Sequence, residues 1–186
     1  MLRSWSSTRS DKIKKSNVLS AVEGQIIENL LLNTQGVIME KRYPKVGFGI
    51  LVLSNNKVLL GKRNDDAQKA SSELHGEGTW TMPGGKLHFQ EAPQNGATRE
   101  LLEETNLIAK AKDLKLVSIT NDMTGDAHFI TFGFLCEKYS GELKTMEPEE
   151  ITEWDWFDIN NLPSNLYNPS KKLLDNYLKN SIYSVE

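Results

Sequence analysis

Glu100, Glu103 and Glu104 would stand on adjacent turns of a helix covering residues 93–105, and like charges at that spacing repel. The helix is well indicated. Between Pro93 and Thr105 only Gly96 is a poor helix former, Ala97 and Leu101 give an apolar stripe at i, i+4, and Asn106 is a residue type that tolerates the left-handed conformation just past a helix end. On that helix the three carboxylates converge on one side. Arg99, at i, i+4 from Glu103, offers charge for one of them and not for three. Hard divalent cations prefer carboxylate, carbonyl and water oxygens, and Mg²⁺ pairs a few carboxylates with substrate phosphates. The cluster therefore reads as a Mg²⁺ platform for a phosphorylated ligand, with Mn²⁺ as a substitute ion. Gly84 and Gly85 follow a short strand, where a backbone without Cβ brings a carbonyl close to a metal.

The full spacing is Gly85, five residues, Glu91, seven residues, Arg99-Glu100-Leu101, one residue, Glu103-Glu104. It resembles the Nudix box, and the chain resembles a Nudix hydrolase. Asn106 departs from the pattern, standing where the family usually has glycine, and removes no metal ligand. The resemblance implies an α+β fold, the Nudix fold, with a mixed β-sheet sandwiched between helices over roughly residues 44–178. It implies Glu100, Glu103 and Glu104 as metal ligands and catalytic residues, with Gly84 offering its carbonyl to the metal. Gly85, Glu91 and Arg99 would be structural, the last two tying loop to helix by an ion pair. The general base would be a box glutamate or a carboxylate in a later loop, where Glu147, Glu149 and Glu150 are candidates and Glu149 is the one named here.

At 186 residues the chain suits one domain with extensions. Val18, Leu19, Val22, Ile26, Ile27, Leu30 and Leu31 follow helical spacing, so residues 1–40 are expected to be an extension with an amphipathic helix at about 17–32, and residues 41–186 the hydrolase domain. The apolar stripe of that helix needs a partner surface, either the domain or a second copy in a homodimer. "VGFGILVLSNNKVLLGKR" reads as two strands around a Ser54-Asn55-Asn56 turn, and residues 64–78 as a polar loop over a site. Further strands are expected at 79–82, stopped by Pro83, and at 115–120, 128–138 and 151–159, and a terminal helix at 170–183.

A net charge of −3 gives no general argument for a nucleic-acid partner, and no apolar run is long enough to span a bilayer. The single cysteine, Cys136, lies in an apolar run and forms no internal disulfide, which fits a reducing compartment. The expected location is cytoplasmic. The basic, serine-rich first 22 residues overlap in composition with mitochondrial transit peptides, and a disordered leader explains the same letters.

"VGFGILVL", "VLLGKR", "GTWTMPGGKLHFQE" and "MEPEEITEWDWFDINNLP" resemble the MutT-like nucleoside triphosphate diphosphatases of that family, which implies a nucleotide substrate split to a monophosphate and pyrophosphate. Candidate substrate contacts are Lys62 and Arg63 for terminal phosphates, and Trp80, His88, Phe89 and Trp154 for the base, with Phe48 and Trp156 as further aromatics. "NDMTGD" has neither the proline usual in ADP-ribose hydrolases nor the tyrosine of dinucleoside polyphosphate hydrolases, so both readings are set aside. Other readings are a hydrolase of another small pyrophosphate, such as dihydroneopterin triphosphate or a prenyl diphosphate, and a non-catalytic ligand sensor. Sensors of this type typically lose box glutamates, and all four are present.

Overall fold

A computed structural model describes residues 42–70 and 72–184, together with the backbone of residues 30–32 and 38–40. The chain divides into two compact units, residues 1–43 and 44–186. In the first, β1 (Leu30–Leu32) pairs antiparallel with β2 (Ile38–Glu40). Residues 17–29 of the expected amphipathic helix lie outside the described residues, and its last turn is corrected: Leu30–Leu32 is strand. Three consecutive leucines carry no periodicity that separates helix from strand, so cross-strand pairing decides.

The second unit is built on β3 (Lys45–Ser54) and β4 (Lys57–Arg63), joined by the two-residue turn Asn55-Asn56 with φ of 49° and 62°. Asparagine tolerates positive φ, and a two-residue turn of this hand matches strand twist. β8 (Lys115–Met123), β9 (His128–Cys136) and β11 (Ile151–Asp158) complete a mixed sheet in the order β11-β4-β3-β9-β8, in which β3 and β9 are parallel and the other neighbours antiparallel. β5 (Trp80–Thr81) pairs with β4, and β6 (Gly84–Lys86) with β3.

Helix α1 (Pro93–Thr105) and helix α2 (Asn168–Leu178) cover opposite faces of the sheet. The alternation of the strands makes this possible. Phe48, Ile50, Val52, Leu59 and Phe134 pack with Ala97 and Leu101 of α1, whereas Leu51, Val58, Leu60 and Leu135 pack with Leu173 and Leu174 of α2. Cys136 is buried in the α1 core, and burial pushes its thiol up to about 11. α2 begins two residues before the expected start and stops well before Tyr183, with Asn180 at φ 53° just beyond its end. A ladder of β7 (Ile108–Ala109) with β10 (Tyr139–Ser140) was not anticipated. Among the described residues no helix is long and apolar enough to cross a membrane.

Two features position the site. β6 lays Gly84 opposite Gly49 and Gly85 opposite Phe48, so close that a Cβ on Gly84 would overlap the Phe48 carbonyl. At the far end of α1, Asn106 adopts φ 60° and ψ 11°, its N–H donates to the Leu102 carbonyl at 2.9 Å, and its side-chain amide donates to the Glu142 carbonyl at 2.9 Å. The helix therefore stops where expected, and the loop after β10 is tied to its C-terminus.

Candidate active site

α1, β6 and the loops before β5 and β11 enclose a pocket of about 480 Å³. Glu100, Glu103 and Glu104 line it from α1, and Gly84, Gly85 and Lys86 from β6. Glu147 and Glu150 enter from the loop before β11. That loop is anchored to the end of α1, with the N–H groups of Lys144 and Met146 donating to the Thr105 and Glu104 carbonyls at 3.0 and 3.1 Å.

Arg99 serves more carboxylates than its spacing from Glu103 suggests. Its Nε and Nη2 donate to Glu91 at 3.0 and 3.1 Å, and its Nη1 donates to Glu100 at 2.8 Å and to Glu103 at 2.9 Å. The expectation that it neutralises one charge is corrected to three partners, because the guanidinium fork presents several donors at fixed angles. Glu91 is held at about 2 by those hydrogen bonds, aided by the His88 N–H. The same partners push Arg99 up, Glu91 first.

The remaining charge is unbalanced. Burial raises Glu100 above the usual carboxylate range, with Arg99 opposing it. Glu104 keeps partial solvent access at the pocket wall, yet desolvation by the surrounding protein raises it well above that range. The Gly84 N–H, donating to Glu104 Oε2 at 3.0 Å, opposes this, and the charges of Glu100, Glu147 and Glu150 add to it. Burial, then Glu150 and Glu103, raises Glu147.

These residues fit a hard divalent cation. Every donor is an oxygen, and a Cβ on Gly85 would overlap the Glu100 carboxylate, so glycine alone leaves room for that group. Among the described residues no group of three or more His, Cys, Asp or Glu side chains is gathered so that it could hold a metal ion by itself. Mg²⁺ seldom uses such a group, taking one or two carboxylates and completing its shell with water and substrate phosphate.

Several expected substrate contacts lie elsewhere. Lys62 donates to the Gly78 carbonyl and sits 6.0 Å from the Trp80 ring centroid, tying down a loop, and does not line the pocket. Trp80 packs edge-on to Phe157 at 4.7 Å in the α2 core. Trp154 packs against the α1 core with its Nε1 buried and unpaired, and Phe89 is 93% exposed. Burial drives both tryptophans into packing roles, and Phe89 falls in a turn outside the pocket. Arg63 lines the pocket, but its Nε donates to the Gly76 carbonyl at 3.1 Å and its Nη2 to the Ala70 carbonyl. His88 lines the pocket as expected.

Glu149 is exposed and pairs with Lys69 at 2.9 Å, away from the pocket. The turn in which the Glu150 and Ile151 N–H groups donate to the Glu147 carbonyl puts Glu147 and Glu150 on the pocket side and Glu149 on the other. Residues missed by the sequence reading include Glu73, Phe129, Thr131, Tyr167 and Lys86. Only Lys86, directly after Gly85, carried a local signal; the rest arrive from distant segments.

The NUDIX domain model matches residues 43–177. An ADP-ribose pyrophosphatase of Methanocaldococcus jannaschii is 31% identical over 137 residues, covering 74% of this chain and 75% of that protein. An oxidized purine nucleoside triphosphate hydrolase of Danio rerio is 31% identical over 118 residues, covering 61% of this chain and 66% of the relative. In fold, the chain is similar to a MutT NUDIX hydrolase from Burkholderia pseudomallei, with a TM-score of 0.64 at 24% identity over 73% of this chain and 98% of that one. With Glu100, Glu103 and Glu104 of the box lining one pocket, these matches show that the chain belongs to the Nudix family and is a Nudix pyrophosphohydrolase.

Proposed function

We propose that the chain is a Mg²⁺-dependent nucleoside triphosphate diphosphatase that cleaves (d)NTPs, oxidised ones included, to monophosphate and pyrophosphate. The observation that carries this reading is a single pocket joining a carboxylate wall to an aromatic and hydroxyl wall of Phe48, Phe129, Tyr167 and Thr131. The first suits a cation and phosphates, the second a base and sugar. When bound, a divalent ion would supply positive charge to the phosphate oxygens and acidify water.

The chain's own part is to hold and exclude. Glu100, Glu103 and Glu104 would hold the ion, with the Gly84 N–H fixing the Glu104 carboxyl. Arg99 and Glu91 brace the helix against the loop before it. Glu147 replaces Glu149 as the loop candidate for general base, since it lines the pocket and its burial raises its proton affinity, as such a base requires. Glu104 is the box alternative. The same reading takes the enzyme to be cytoplasmic and to act on small molecules.

A second reading has support from the M. jannaschii relative, named an ADP-ribose pyrophosphatase, so the missing proline does not remove ADP-ribose from the substrates to test. The test is a Mg²⁺ assay of canonical and 8-oxo nucleoside triphosphates, ADP-ribose, dihydroneopterin triphosphate and geranyl diphosphate, with products resolved by ion exchange. The best kcat/KM is expected for a nucleoside triphosphate releasing pyrophosphate. A higher value for ADP-ribose would install the second reading, and binding without turnover of any compound would favour the sensor.

A further inference from the structure

Among the described residues three Lys or Arg side chains line the pocket: Arg63, Lys86 and Arg99. Two are committed. Arg99 serves Glu91, Glu100 and Glu103, and Arg63, buried, donates to backbone carbonyls while stacking on the Tyr167 ring at 4.9 Å. Lys86 is half exposed, and its Nζ meets Glu73 Oε1 at 2.7 Å. Lys45 Nζ meets the other oxygen of the same carboxylate at 2.5 Å, and lies 5.9 Å from the ring centroid of the pocket residue Phe129. Glu73 is carried by the polar loop between β4 and β5 and lines the pocket.

A carboxylate of the chain thus sits between two ammonium groups at the pocket that Glu100, Glu103 and Glu104 also line. The two pairs are solvent-exposed, and such pairs contribute little individually. A polyphosphate carries more charge and more acceptor oxygens than one carboxylate, which suits it to compete with Glu73 for them.

We propose that Glu73, held between Lys86 and Lys45, masks these two ammonium groups as a competing anion at the pocket until the substrate's polyphosphate displaces it. The inference rests on reading the pocket as a polyphosphate site. It assigns to Lys86 and Lys45 the task that the sequence suggested for Lys62 and Arg63, and it makes the loop's grip on the pocket mouth depend on ligand.

The test is calorimetric titration of the full chain with inorganic tripolyphosphate in Mg²⁺ buffer, alongside backbone hydrogen exchange over residues 72–78. Glu73→Gln is expected to bind about two- to fivefold tighter than wild type, and Lys86→Met weaker by a similar factor. Exchange over 72–78 should rise in Glu73→Gln without ligand, and in wild type when tripolyphosphate binds. If wild type binds but Glu73→Gln binds no tighter, if Lys86→Met binds like wild type, or if the segment gains protection on binding, the masking proposal is overturned and the polyphosphate reading stands. If wild type and both variants fail to bind, the polyphosphate reading falls first and takes the proposal with it.

Discussion

Arg99 is the residue on which the site's charge balance turns, because it alone bonds three of the four box glutamates. Glu104 is the fourth, and it relies on a backbone N–H. Glu104→Gln keeps an oxygen to accept that hydrogen bond and loses the charge. The expected result is an intact fold by circular dichroism and a fall in kcat of about 10²-fold or more at saturating Mg²⁺, whereas a rate near wild type would remove Glu104 from the metal ligands. Glu91 offers a pH test. Its folded value of about 2 lies below the ordinary 4.5, so its contribution to stability is complete above 4.5 and is lost as pH falls toward 2. Thermal unfolding should therefore show a steeper loss of Tm below pH 4.5 in wild type than in Glu91→Gln. Parallel curves would mean that the Arg99–Glu91 pair does not act in this way.

At the scale of elements, α1 was legible almost residue for residue: Pro93 starts it, Asn106 ends it in the left-handed region, and the glutamates share the face that the spacing required. Its cap gives a direct prediction. Asn106→Ala should lower unfolding free energy in urea by about 1–2 kcal/mol, because alanine pays the left-handed penalty, while Asn106→Gly should be near neutral. β6 was not legible, since Gly84–Lys86 has almost no strand propensity and exists because β3 is there to pair with it. Its second glycine is nonetheless expected to matter. Gly85→Ala would push the Glu100 carboxylate aside, and kcat is expected to fall about 10²-fold with the fold retained. An alanine variant with unchanged kcat would show that Glu100 need not sit where it does.

At the scale of the whole molecule, the described residues of both cores and of the pocket belong to the second compact unit. A chain beginning at Lys41 is therefore expected to keep kcat/KM within about twofold, a range that corresponds to well under 1 kcal/mol. Gel filtration of that chain beside the full one tests whether the apolar stripe expected at 17–32 meets a second copy, since equal elution as monomers would leave the first 40 residues without an interface role. The amino-acid sequence by itself determined the glutamate-bearing helix, its cap, the alternating strands and the gathering of Glu100, Glu103 and Glu104 on one helix face. All of these depend on spacings of two, three or four residues, which backbone geometry converts directly into faces. Only the tertiary structure decided which of Glu147 and Glu149 enters the pocket, that Arg63 and Lys62 hold a loop, and that Glu73 reaches Lys45 and Lys86. Those outcomes depend on groups brought together across dozens of residues by chain packing, and no local spacing encodes such a meeting.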